Sequence, residues 1–118
     1  ALAQTIANGK ICRIKYGSYT GNGTYGAANA VSIECGFYPL LVMVSSSSSS
    51  HYWAVRGFDK FYYNNNRENE MTWGDTGVSW YYPQDDQYYS PSGNQMNTID
   101  TTYYYLVLGY SNDGEQGN

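Results

Sequence analysis

No stretch of this 118-residue chain sustains an apolar repeat of 3.6 residues, and thirteen glycines interrupt every run of strong helix formers. What recurs instead is a period of two. Cys12, Ile14 and Tyr16 alternate with Arg13 and Lys15, and Val31, Ile33, Cys35 and Phe37 alternate with Ser32 and Glu34. That is the pattern of strands with one face against a core, and the chain reads as all-β. Between the two strands, residues 17–29 hold four glycines with Asn22 and Asn29, which suits a wide turn.

Residues 40–44 are apolar on both faces and read as a strand covered from both sides. The serines at 45–50 read as a flexible polar loop, and residues 52–55, extending to Phe58, as the next strand. Residues 64–70 are polar and loop-like, while 71–73 and 78–82 are short aromatic strands around a turn at 74–77, with Trp73 and Trp80 close together. A long connection fills 83–97 before the strongest strand, 101–108. Six or seven short strands joined by glycine-rich turns, with no helical crossover, make one antiparallel β-sandwich domain, with a closed barrel as the alternative. Residues 1–9 read as a connecting segment from an upstream region and 111–118 as a polar tail. Two strands apolar on both faces exceed what a small two-layer sandwich covers, so one face of the last strand is expected in a subunit interface of a homo-oligomer.

Charge and composition remove several function classes. Six Lys and Arg against ten Asp and Glu give a net charge of -4, which offers no basic surface to nucleic acid. The longest apolar run, 103–108, is far below the roughly 20 residues of a membrane span, so no membrane insertion is expected. With one histidine and no CxxC pair there is no ligand set for structural zinc, and no cofactor is expected. The stretch 17–26 lacks the GxxxxGK[ST] pattern and reads as a turn rather than a phosphate loop. Cys12 and Cys35 fall on apolar strand faces and are expected to be buried and reduced.

For catalysis, His51 is the one available imidazole, and at the end of a serine run it reads as a surface histidine rather than the base of a triad. Asp85 and Asp86, with Asp59, Asp75 and Glu70 elsewhere, offer carboxylates for glycoside hydrolysis, but no fixed separation can be read, and no spacing typical of a Ca²⁺ loop appears. They are read as solvated loop acids. The chain is expected to be a non-enzymatic binding module.

Fifteen tyrosines carry the strongest functional signal. Tyr and Trp offer flat amphipathic area with few rotors to freeze, while Asn, Ser and Asp supply adaptable hydrogen bonds. Tyr62, Tyr63, Asn64, Asn65 and Asn66 form one such group, and Asp85, Asp86, Tyr88 and Tyr89, following Trp80, Tyr81 and Tyr82, form another. Sugar rings stack on aromatic faces and sugar hydroxyls pair with Asn and Asp. The candidate ligand contacts are therefore Tyr62, Tyr63, Asn65, Asp85, Asp86, Tyr88 and Tyr89, whereas Trp73, Trp80 and Tyr82, on strands, are read as core.

The segments Gly17-Ser-Tyr-Thr-Gly-Asn-Gly-Thr-Tyr-Gly26, Gly36-Phe-Tyr-Pro-Leu-Leu-Val-Met-Val44, Val78-Ser-Trp-Tyr81 and Thr102-Tyr-Tyr-Tyr-Leu-Val-Leu-Gly109 together resemble C-terminal β-sandwich domains of bacteriophage tail fibres, which are similar in style to the trimeric H-type lectins. The resemblance implies a receptor-binding tip on the virion, assembled as a homotrimer and acting outside the host cell on a bacterial surface glycan or protein. Its motifs are strand and turn signatures, so the ligand contacts above rest on loop composition alone. A purely structural trimeric fibre domain and a polysaccharide depolymerase are the alternatives.

Overall fold

The period-two segments pair across long sequence distances. The computed structural model describes residues 10–47, 51–64, 67–83 and 90–111, with backbone alone at 61–64 and 67. Its strands are β1 (Ile11–Thr20), β2 (Val31–Glu34), β3 (Tyr38–Ser46), β4 (His51–Val55), β5 (Lys60–Asn64), β6 (Arg67–Trp73), β7 (Gly77–Tyr81) and β8 (Thr102–Ser111). They form two four-stranded antiparallel sheets, ordered β1-β8-β3-β4 and β2-β7-β6-β5. A single turn of helix, α1 (Pro91–Asn94), opens on Ser90, whose hydroxyl accepts from the Gly93 N–H. The reading as an all-β sandwich of two antiparallel sheets holds.

The core lies between the sheets. Val42, Val44, Ala54, Tyr103 and Val107 from the first sheet meet Val31, Ile33, Met71, Val78 and Trp80 from the second. Trp80 and Tyr82 are fully buried as expected, and Trp73 packs half-buried against the same cluster. At one end of the sandwich Arg56 ties the sheets together. Its guanidinium lies 3.7 Å from the Tyr38 ring centroid, Nε donates to the Pro39 carbonyl at 2.7 Å, and Nη2 donates to the Gly74 carbonyl.

Several boundaries differ from the sequence reading, each for a physical reason. Residues 64–70 were expected to be a loop, but β6 begins at Arg67. Its polar composition is that of an outward face (Glu68, Glu70, Thr72) plus one amide, Asn69, that turns inward and is buried. β1 runs on through residues 17–20, because ladder pairing with β8 continues to Thr20↔Thr102. Ser45 and Ser46 belong to β3, where Ser45 faces His51. Gly109 is required where β8 passes the bulge between Pro39 and Leu41: a Cβ there would sit 2.0 Å from the Tyr38 carbonyl oxygen.

The largest correction concerns which side of β1 is inside. Cys12, Ile14 and Tyr16, expected to face the core, point outward; Tyr16 is 80% exposed and Ile14 61%. The opposite side of β1 meets the second sheet instead. Lys15 Nζ donates to the Glu34 carbonyl of β2, and on the same inner side Tyr19 stacks on Tyr103 of the neighbouring β8, with centroids 5.1 Å apart. Composition alone ranks the Ile14 side as the more apolar, but the cross-strand partners of Gly17 and Tyr19 are Tyr105 and Tyr103, and these rings build the inner layer. Cys12 is accordingly exposed rather than buried, Cys35 is half-buried, and both are free thiols. Among the described residues β3 and β8 are likewise covered on one side only, with Met43, Tyr104 and Leu108 exposed.

Candidate functional site

Strand direction separates two ends. Ile11 and Ser111 pair at one end of the first sheet, and Thr20 pairs with Thr102 at the other. The second end, called apical here, also receives the start of β4, the segment between β1 and β2, the close of the β5–β6 hairpin at Asn64↔Arg67, and the chain leaving β7 after Tyr81. The two aromatic and polar groups singled out in the sequence are thus rooted at the same end of the same sheet, away from the strand ends at 11 and 111.

A frame of buried amides holds this end. Gln95 has no exposed surface. Its Oε1 accepts from the backbone N–H groups of Gly26 (2.9 Å) and Tyr82 (2.8 Å), and its Nε2 donates to the Asn29 carbonyl (2.8 Å). Trp80 Nε1 donates to the Gln95 carbonyl at 2.8 Å. One side chain therefore stitches the segment after β1, the end of β7 and α1 together. Asn97 does similar work beside it: Nδ2 donates to Asn22 Oδ1 at 2.7 Å and to the Thr24 carbonyl at 3.0 Å. Asn69, from β6, donates to the Asn94 carbonyl at 2.9 Å, which fixes α1 over the root of the β5–β6 hairpin.

The chain turns sharply to reach this frame. After α1 the N–H of Asn97 returns to the Ser92 carbonyl and that of Met96 to the Gly93 carbonyl, a Schellman closure with Met96 in the left-handed region at φ 63°. Glycine is the usual residue there, and Met96 is held in place because its side chain is buried in the core. Gly21 is needed for a different reason: a Cβ would lie 2.0 Å from the Thr98 carbonyl oxygen, where the two apical segments cross.

Tyr19 supports the frame from below, its hydroxyl donating to the Met96 carbonyl at 2.8 Å. Burial, and secondarily the neighbouring Tyr103, push this hydroxyl far above the ordinary tyrosine range. A raised folded-state pKa on an acid means that its contribution is complete below the unfolded value near 10 and is lost as pH climbs above it. Tyr19→Phe, which cannot ionise, is therefore expected to lose less stability than the parent between pH 7 and about pH 11, while giving up about 0.5–1.5 kcal/mol of hydrogen bonding at pH 7. Urea melts of both proteins at the two pH values check this; equal losses would remove Tyr19 as the alkaline trigger.

Of the candidate contacts, Tyr62 and Tyr63 lie on β5, Tyr62 paired with Glu68, and only their backbone is described. Asn65, Asp85, Asp86, Tyr88 and Tyr89 lie outside the described residues. His51 is exposed, with Nδ1 2.8 Å from Ser45 Oγ. Glu70 is engaged by Lys60, and Asp75 sits in the β6–β7 turn at the opposite end. Among the described residues no three His, Cys, Asp or Glu side chains converge as a metal site, and no helix is long and apolar enough to cross a membrane.

The buried amides escaped the sequence reading, which took 64–70 as a polar loop and 83–97 as a long connection carrying ligand contacts. One signal was present: Ser90-Pro91 is an N-cap followed by proline at the first helical position, a helix start. No protein-family model, curated protein or solved structure matches the chain.

Proposed function

We propose that this chain is a non-enzymatic receptor-binding module, the tip of a bacteriophage tail fibre that attaches to a bacterial surface glycan or protein. One observation carries the reading. The described residues that flank the two aromatic, Asn- and Asp-rich groups, Asn64 and Arg67 for one and Tyr82 and Ser90 for the other, lie toward one end of the molecule beside a frame of buried amides, opposite the end where β1 begins and β8 finishes. Binding groups carried between strand ends that a buried hydrogen-bond frame fixes lose less entropy on contact than groups on an unanchored chain. Tyr62, Tyr63, Tyr88 and Tyr89 supply the flat faces on which a sugar ring stacks, and Asn65, Asp85 and Asp86 the hydroxyl partners. The module works outside the host cell, on the virion, as a homotrimer. Three copies in parallel present three such sets to one surface, and avidity then compensates for weak single contacts.

Attachment of the purified protein to host cells tests this. The Tyr88→Ala/Tyr89→Ala and Tyr62→Ala/Tyr63→Ala variants are each expected to weaken attachment, at on the order of 1–2 kcal/mol per lost anchor, with melting temperature and oligomeric state unchanged. Loss of stability together with binding would make these tyrosines packing residues. Unchanged attachment in both variants would move the receptor site elsewhere or favour the structural alternative.

A further inference from the structure

The outer faces of the two sheets differ in kind. On the β2-β7-β6-β5 sheet the outward strand positions include Ser32, Glu34, Thr72, Ser79, Glu70 and Lys60. On the β1-β8-β3-β4 sheet the cross-strand row Tyr16, Leu106, Met43, Trp53 lies beside the row Ile14, Leu108, Leu41, Val55. No outward strand position on that sheet carries Asp, Glu, Lys or Arg. Trp53 is 65% exposed there, and an aromatic and aliphatic face this continuous is not left to water by a stable monomer.

We propose that copies of this chain cover the face for one another, three of them meeting with their β1-β8-β3-β4 sheets turned toward a common axis. The threefold number rests on the tail-fibre reading; the location of the interface rests on the face itself. A face with no formal charge needs no oppositely charged partner and is complementary to a second copy of itself, as the apolar, charge-depleted centres of homo-oligomer interfaces are. Its size also suits a copy. Four strands across and the ten residues of β1 give a surface about 19 Å by about 33 Å, and side-chain relief brings the area that one copy buries against its two neighbours together to roughly 800 Å², the scale of one partner's share of a stable interface. β1 adds a further reason. It is a ten-residue edge strand free of proline and bulge whose two charges, Arg13 and Lys15, lie on the inner side, so that Ile14 and Tyr16 carry the apolar face right to the sheet edge. In a closed ring the β1 side of one copy meets the β4 side of the next, so both edges of this sheet face a neighbour. Residues 1–9 supply only Leu2 and Ile6 as large apolar side chains, too few to cover two rows of four.

Gel filtration with light scattering at tens of micromolar is expected to give three chain masses for the parent and one for Tyr16→Lys/Met43→Lys, with the circular dichroism spectrum unchanged. Ser79→Lys/Thr72→Lys, on the other outer face, is expected to stay at three. If the paired lysines unfold the chain, the milder Tyr16→Ser/Met43→Ser is expected to weaken assembly at least tenfold in a dilution series. A three-chain assembly indifferent to both Tyr16/Met43 variants would overturn the location while leaving the tail-fibre reading standing. Two chain masses would overturn the threefold arrangement and the trimeric part of that reading. A parent of one chain mass would overturn self-association altogether; such a monomer aggregating once residues 1–9 are removed would assign the face to that segment, and host attachment would still decide the function separately.

Discussion

Replacing Gln95 by Leu is expected to be among the most damaging single changes this chain can carry, lowering stability by about 3–5 kcal/mol. The side chain disappears from three hydrogen bonds at once, and leucine offers nothing to the Gly26 and Tyr82 N–H groups or to the Asn29 carbonyl. Each buried backbone group left without a partner costs roughly 1–3 kcal/mol. Against a total stability of about 5–15 kcal/mol for a domain of this kind, that is a large fraction. Gln95→Glu makes the control. It keeps the acceptor for Gly26 and Tyr82 but sets a carboxylate oxygen against the Asn29 carbonyl, so it too should destabilise, and more at pH 7 than at pH 4, where the acid can protonate. Chemical denaturation at both pH values checks the pair. A Gln95→Leu protein within about 1 kcal/mol of the parent would mean that the apical segments are held by something other than this amide.

The second large effect is expected at Trp80. It is fully buried, and its indole N–H reaches the Gln95 carbonyl, so Trp80→Ala removes both the largest filler of the core and a tether of the apical frame. Truncating a buried tryptophan costs about 3–5 kcal/mol. Trp80→Phe should recover much of the packing but not the bond, and so fall between the two. Because Trp80 and Gln95 touch, the double change Trp80→Ala/Gln95→Leu is expected to cost less than the two single losses added together. Additive losses would show that the frame and the core fail independently.

Much of the core was legible from sequence. Val31, Ile33, Val78 and Trp80 are buried because strand parity in β2 and β7 puts their apolar and polar residues on opposite faces. Parity misled in β1, where both sides carry groups able to pack. The choice there was made by Tyr103 and Tyr105, which lie more than eighty residues downstream and pair with Tyr19 and Gly17. A pattern read along one strand cannot contain its partner. The same limit hid the apical frame: Asn69, Asn94, Gln95 and Asn97 have the composition of a solvated connection, and only tertiary pairing turns them into interior groups. The aromatic groups, by contrast, were visible as composition, and the topology contributed the fact that their roots share an end.

The place of β8 in its sheet has a consequence for how the molecule comes into being. β8 is the last of these strands in chain order, yet it lies between β1 and β3 and is the ladder partner of both. While the domain is being synthesised, β1 waits unpaired until residues near 102–111 leave the ribosome. Closing so distant a pairing is slow, since loop entropy is spent before any contact repays it. During that delay Ile14 and Tyr16 on one side and Leu41 and Met43 on the other flank a missing central strand. Any extended apolar segment from a neighbouring nascent chain can occupy that slot. Yield of the folded protein should thus depend on how quickly each chain is released and how far apart growing chains are kept, a kinetic demand set by strand order rather than by the strength of any contact in the finished sandwich.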